Sequence, residues 1–149
     1  KIFAAQATGC SPVTTAIKNG SENITPVKPN TIAKSIAIGN PADGYYGIKT
    51  ANTSGGYGED ISDEEIVASM KLLAETEGIF TETAGGVTVG VTKKLIKQGR
   101  IKPDETTVIC VTGNGLKTQE ALAGSFEAPA VIEPNVNNFE DFFANSLTV

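Results

Sequence analysis

A short stretch near the end of the chain combines residue types that can hold a phosphate group or a cofactor. It reads VTGNGLKT, covers residues 111–118, and follows the β-branched run TTVIC. A Walker phosphate loop has four residues between its glycines and a lysine directly after the second glycine. Here one residue separates Gly113 from Gly115, and a leucine stands before Lys117. The spacing therefore excludes that loop, and the missing third glycine excludes the dinucleotide-binding fingerprint.

What remains is a threonine at the end of a predicted strand. The run TTVICVTG, residues 106–113, is typical of a strand buried on both faces, and it delivers Thr112 into the glycine turn. In open α/β sheets, ligands bind in the crevice beyond the strand ends, where a threonine hydroxyl can form a hydrogen bond. These residues alone leave two interpretations open, a ligand site and a tight turn between strand and helix.

The composition limits the chemistry that the chain can perform. None of its 149 residues is histidine, which removes histidine-based nucleophile systems and the commonest zinc ligand. Because no CxxC pair is present either, we expect no metal site. Any chemistry would then rest on a bound cofactor or on Lys, Asp, Glu, Thr and backbone groups.

Charge, hydropathy and cysteine content exclude further classes of partner. The net charge of -5 disfavours nucleic acid, because an acidic surface repels polyanions. No apolar run approaches the roughly 20 residues that cross a bilayer, so we expect no membrane partner. Cys10 and Cys110 are too few for a disulfide framework, which favours a reducing, cytoplasmic location.

The elements that would position these groups alternate between strand and helix. The clearest is a helix that begins after Ser62, where Ser62 and Glu65 form a capping box, and that ends at Gly78. The other predicted elements are a strand at 2–7, a helix from Pro12, loops at 21–30 and 42–60, a strand at 79–83, a helix at 84–99, a short helix at 119–124 and an aromatic helix at 138–147 that docks on the body. Residues 31–42 are ambiguous between helix and strand. This order predicts an α/β fold with a largely parallel sheet.

Five segments, taken in order, resemble the C-terminal part of threonine synthase, a pyridoxal-phosphate enzyme of the tryptophan-synthase-β fold type. They read QATGCSP, SIAIGNPA, SDEEI, GIFTETAGG and TTVICVTGNGLKT, and they fall between about Ile2 and Thr118. The resemblance implies part of a three-layer αβα enzyme of fold type II, with the upstream part missing. It divides the chain into residues 1–118 of the large cofactor domain and a C-terminal extension, residues 119–149, with a short amphipathic helix packing on the body.

The resemblance also implies which residues face the cofactor. It assigns to Thr112 the hydrogen bond to the pyridine nitrogen, to Glu82 a place near the ring, and to Gly39 and Asn40 a backbone segment along the ring edge. It assigns no catalytic residue, because the lysine that forms the Schiff base lies upstream and none of the eleven lysines here matches its motif. The stretch TAGG, residues 83–86, departs from the proline and serine pattern of related enzymes.

The activity implied is the conversion of O-phosphohomoserine and water to threonine and phosphate. We expect this chain to be inactive alone, to need the upstream half of the same polypeptide, and to form a homo-oligomer. One alternative is another enzyme of fold type II, such as a threonine or serine dehydratase or a cysteine synthase. A second alternative is a non-catalytic α/β domain that binds a ligand or a partner.

Overall fold

The computed structural model describes residues 1–126 and 130–146. Its strands and α-helices are β1 Phe3–Ala7, α1 Pro12–Lys18, α2 Gly44–Thr53, β2 Tyr57–Ile61, α3 Asp63–Glu77, α4 Thr83–Lys97 and α5 Val136–Ser146. Short 3-10 turns lie at Lys34–Ile36, Gly115–Lys117 and Gln119–Leu122. The ambiguous segment after residue 30 thus contains one tight turn of helix, and the helix predicted at 119–124 is a 3-10 turn.

The two strands pair in parallel and form the middle of three layers. Phe3 lies opposite Tyr57, and Ala7 lies opposite Ile61. One face of the pair packs against α1 and α2, and the other face packs against α4, which in turn packs on α3. The predicted α/β class with parallel strands is confirmed.

The larger core lies between the sheet, α3 and α4. It is made of buried apolar residues from these elements and from two connecting segments: Ala7, Ala33, Ile61, Ile66, Met70, Val87, Val91, Leu95 and Ile101. Two glycines of α4 allow the helices to approach closely. A Cβ atom on Gly86 would lie 2.7 Å from Met70 Cγ, and one on Gly90 would lie 2.4 Å from Ile61 Cδ1.

Two helices, α1 and α3, begin with side-chain caps, and the sequence predicted only the cap of α3. The predicted capping box of α3 is present, since Glu65 N donates to Ser62 Oγ at 3.3 Å and Ser62 N donates to Glu65 Oε2 at 2.8 Å. At α1, Gln6 on β1 accepts from the backbone N–H groups of Val13 and Thr14 at 2.9 and 3.0 Å. A residue on the sheet thus takes the place of the missing local cap.

The predicted long loop at 42–60 is wrong. The structure forms α2 and β2 there, although glycine, asparagine and serine make up much of the segment. Ile48 and Ala51 are 1% and 0% exposed against α1, so burial outweighs the weak local helix propensity. Gly55, with φ of 69°, then turns the chain into β2.

The strands predicted at 79–83 and 106–113 are also wrong. The first segment makes only one isolated bridge, between Thr81 and Asn114. The second has no strand pairing among the described residues, and Val108 is 85% exposed. It lies beside β1 across a cavity of about 290 Å³ that Phe3 and Val91 help to line. A strand buried on both faces needs neighbours that this segment does not have here.

The predicted C-terminal helix is confirmed as α5, but its aromatic face is not buried. Phe139, Phe142 and Phe143 are 54%, 43% and 52% exposed, and the packing of this helix on the body stays a prediction. Leu147, the last residue of the predicted face, lies outside the described residues. Among the described helices, none has the combination of length and hydropathy that crossing a membrane requires.

Candidate functional site

The glycine loop, residues 112–118, lies against the segment that leads into α4. Gly115 N donates to Phe80 O at 3.0 Å, and Glu82 N donates to Gly113 O at 3.0 Å. The side chain of Thr81 donates to the same Gly113 carbonyl at 3.1 Å. The fold thus brings together two residues that the sequence singled out 30 positions apart, Glu82 and Thr112.

Glu82 is the N-cap residue of α4, and its side chain packs on the glycine loop. It is 7% exposed, and a Cβ atom on Gly113 would lie 1.9 Å from Glu82 Oε1. Only glycine therefore fits at position 113 while the carboxylate keeps this place. Among the described residues, the carboxylate forms no side-chain hydrogen bond that caps the helix.

Thr112 is exposed, whereas Thr81, Glu82 and Thr83 at the start of α4 are buried. Within the described residues its hydroxyl has no hydrogen-bond partner, so it is free to bond to a ligand. The sequence predicted it at the carboxyl end of a strand. That placement is wrong, because residues 106–112 form no strand, and the contacts of the adjacent Gly113 hold Thr112 instead.

Thr83, the first residue of α4, was not among the predicted site residues. Its side chain is 0% exposed, and its Oγ1 has no hydrogen-bond partner in the described part of the chain. A buried hydroxyl without a partner costs roughly 1–3 kcal/mol. The backbone N–H of Thr83 is bonded, to Thr118 Oγ1 at 3.3 Å. The only sequence signal was the departure of TAGG from the pattern of related enzymes.

Gly39 and Asn40 are held by a different part of the chain. Gly39 O accepts from Val27 N at 3.0 Å, and a Cβ atom on Gly39 would lie 1.8 Å from Val27 O. Asn40 is exposed. The hydrogen bond therefore ties this pair to the loop at residues 21–30, not to the glycine loop.

A separate charged cluster surrounds Glu59 on β2. Glu59 is 4% exposed, contacts Lys18 and Lys94, and accepts from Gln98 Nε2 at 2.7 Å. Burial alone would raise the pKa of Glu59, but hydrogen bonds from Lys18 and Gln98 outweigh it and lower the pKa to about 2. Lys18 also pairs with Asp60. With each charge matched, this cluster stabilises the sheet edge and offers no free group for catalysis.

Comparison with known proteins finds several threonine synthases. Threonine synthase from Methanocaldococcus jannaschii is 41% identical over 138 residues, which are 92% of this chain and 34% of that protein. The enzyme from Methanosarcina acetivorans is 39% identical over 138 residues, which again cover 92% of this chain and 34% of that protein. The enzyme from Halalkalibacterium halodurans is 39% identical over 108 residues, which cover 72% of this chain and 30% of that protein. The chain thus spans about a third of the length of these curated relatives.

Solved structures show the same fold at low sequence identity. A fungal L-serine ammonia-lyase from Rhizomucor miehei superimposes with a TM-score of 0.58 at 18% identity, over 81% of this chain and 40% of the other. Maize serine racemase superimposes with a TM-score of 0.53 at 15% sequence identity, over 85% of this chain and 39% of the racemase chain. These likenesses confirm the predicted three-layer fold of type II pyridoxal-phosphate enzymes. The sequence model described as "Pyridoxal-phosphate dependent enzyme" matches residues 1–113, so the chain belongs to the pyridoxal-phosphate dependent enzyme family.

Proposed function

We propose that this chain is the C-terminal part of a threonine synthase, which converts O-phosphohomoserine and water to threonine and phosphate with pyridoxal phosphate. The observation that carries the proposal is the contact between the glycine loop and the start of α4, which holds Thr112 next to Glu82 and leaves the Thr112 hydroxyl without a partner. Sequence identity of 41% and 39% to two threonine synthases, over 92% of the chain, supports the choice within the family.

The residues at this contact fit a flat heteroaromatic cofactor. Thr112 offers an exposed hydroxyl, and Thr83 has a buried Oγ1 without a partner in the described residues. When bound, pyridoxal phosphate withdraws electrons from the carbon atoms of the substrate. Thr112 would donate a hydrogen bond to the pyridine nitrogen. Because a neutral hydroxyl does not protonate that nitrogen, Thr112 would moderate the withdrawal of electrons.

Glu82 and the pair Gly39–Asn40 have supporting roles in this proposal. Glu82 lies near the ring and holds the glycine loop by contact with Gly113. The backbone of Gly39 and Asn40 would line the edge of the ring. No lysine of this chain matches the motif of the family's catalytic lysine, so the covalent attachment of the cofactor belongs to the remaining two thirds of the enzyme. The chain alone is therefore inactive and retains no cofactor.

A second candidate is another enzyme of the same fold, such as a serine or threonine dehydratase. The solved structures with this fold include an ammonia-lyase and a racemase, which favours that candidate at the level of the fold. The sequence TGNGLKT favours threonine synthase, since dehydratases and cysteine synthases usually carry a serine–glycine turn at that place. We further propose a cytoplasmic location and a homo-oligomeric enzyme.

The decisive experiment restores the part of the enzyme that the chain does not cover. A chimera in which this chain replaces the matching third of the M. jannaschii threonine synthase is called the completed enzyme below. We expect it to release phosphate from O-phosphohomoserine and to show a visible cofactor band, while this chain alone shows neither. Thr112→Val should change the band and lower activity, Thr112→Ser should preserve both, and the exposed Thr25→Val should have no effect.

Three outcomes would contradict the proposal. Release of ammonia from serine or threonine, without release of phosphate, would establish the dehydratase alternative. Absence of a cofactor band in a folded completed enzyme would favour the non-catalytic alternative. A Thr112→Val variant that matches Thr25→Val would remove Thr112 from the site.

A further inference from the structure

The carbonyl group of Gly113 receives two hydrogen bonds from the segment before α4. Glu82 N donates to it at 3.0 Å, and Thr81 Oγ1 donates to it at 3.1 Å. Gly113 directly follows Thr112, the residue whose hydroxyl is free for a ligand. The position of Thr112 is therefore set by the groups that hold its neighbour.

We propose that Thr81 is a positioning residue for the Thr112 hydroxyl, an inference that rests on the function proposed above. Thr81 touches neither substrate nor cofactor in this proposal. It acts by fixing the Gly113 carbonyl, and through it the direction in which the chain presents Thr112.

The glycine loop needs such an external support. Gly113 and Gly115 have more backbone freedom than any other residue type, so the loop does not hold a single conformation by itself. The support comes from four hydrogen bonds to residues 80–83: two to Gly113 O, one from Gly115 N to Phe80 O, and one from Thr83 N to Thr118 Oγ1. Thr81 is the residue of that segment whose side chain donates to the loop, so its bond can be removed by substitution without altering the backbone.

The Thr81 hydroxyl is itself held in a fixed position. Thr81 is 0% exposed, and a Cβ atom on Gly85 would lie 1.9 Å from its Oγ1, so the hydroxyl fits into the space left by a glycine in the first turn of α4. A β-branched side chain also has a restricted χ1 angle. Thr81 is thus a preorganised donor, the property that precise placement of a reacting group requires.

The test compares three variants of the completed enzyme. Thr81→Val keeps the shape of the side chain and removes the donor, while Thr81→Ser keeps the donor. The control is Thr88→Val, because Thr88 lies half-buried on α4 and donates to Ala84 O at the same distance, 3.1 Å, without touching the glycine loop. Should Thr81→Val not fold, Thr81→Ala compared with Thr81→Ser isolates the hydroxyl in the same way.

We expect Thr81→Val to lower kcat by about tenfold or more with a smaller change in KM, since small misplacements near the reacting groups are costly. The visible band of the bound cofactor and its pH dependence should shift in the same variant. Thr81→Ser should restore both, and Thr88→Val should match the wild type. In the chain alone, Thr81→Val should speed amide exchange at Glu82 and Gly115 by about fivefold, as loss of one neutral hydrogen bond predicts.

The outcomes separate this inference from the proposed function. If the wild-type completed enzyme neither binds the cofactor nor releases phosphate, both proposals fail. If the wild type is active but Thr81→Val equals Thr88→Val in kcat, spectrum and amide exchange, only the role of Thr81 is overturned. A loss of activity that Thr81→Ser does not restore would also overturn it.

Discussion

Two segments of this chain, β2 and residues 106–112, have structures opposite to those that their strand propensities predict. The sequence of β2 is YGEDI, with a glycine and two acidic residues, yet it forms a strand buried between helices. The sequence TTVICVT has strong strand propensity, yet it forms no strand and leaves Val108 85% exposed. The difference lies in the neighbours, since β2 has β1 beside it and α1 and α4 on its two faces. Strand formation here follows from available partners more than from propensity.

The largest expected contrast comes from truncating one apolar side chain in each segment. Ile61 in β2 is 1% exposed within the main core, so Ile61→Ala should lower the free energy of unfolding by about 3 kcal/mol. Val108→Ala, the matched control, should change it by less than about 0.5 kcal/mol, because Val108 is already in water. Urea unfolding followed by circular dichroism measures both. Equal losses of stability in Ile61→Ala and Val108→Ala would contradict the view that the two segments differ in burial.

Glu59, in the middle of β2, should contribute almost as much to the free energy of unfolding. The pKa of Glu59 is lowered to about 2 from an ordinary value of 4.5, so the folded state favours the ionised form. Its contribution to stability is therefore present above about pH 4.5 and is lost as the pH falls toward 2. We expect Glu59→Gln to cost about 2 kcal/mol at pH 7, since it leaves Lys18 and Lys94 without their shared partner.

Unfolding curves at pH 7 and pH 3 check this prediction. The difference between the wild type and Glu59→Gln should shrink at the lower pH. The control is Glu75→Gln, an exposed residue of α3, which should leave stability unchanged at both values. A difference that stays constant with pH would show that the charge of Glu59 is not what stabilises β2.

A smaller effect is expected where β1 supports α1. Gln6→Met removes the acceptor of the N–H groups of Val13 and Thr14, and the loss should be about 1 kcal/mol, as for other helix caps. Gln6→Glu keeps an oxygen at that place and should stay near the wild type. Thermal unfolding ranks the three proteins, and a Glu variant as unstable as the Met variant would contradict the capping role.

The smallest effect in this chain should come from proline at residue 108. Because residues 106–112 make no ladder hydrogen bonds among the described residues, Val108→Pro should change the free energy of unfolding by less than about 0.5 kcal/mol. In the completed enzyme, where more of the sheet is present, we expect the same change to cost about 2 kcal/mol or more. Similar small effects in both proteins would mean that the segment does not pair in either.

Local signals predicted much of the fold. The capping box and Gly78 set the ends of α3. The sequence did not reveal α2 and β2, because their stability comes from burial of Ile48 and Ala51 and from pairing with β1, which are non-local effects.

The candidate site divides in the same way. The family resemblance singled out Glu82 and Thr112, and the structure brings them together through Gly113. The sequence could not reveal Thr81 or Thr83, since their importance depends on a bond made across 32 residues and on a buried hydroxyl without a partner in the described residues. Gly39 and Asn40 remain a prediction.

The different surroundings of the two cysteines have a practical consequence. Cys110 is exposed at the cavity beside β1, whereas Cys10 is buried and burial raises the pKa of its thiol. A thiol-reactive fluorophore would therefore label the wild-type chain at one chosen place, without engineering. Its emission would report, in real time, whether the cavity closes when the rest of the enzyme is supplied.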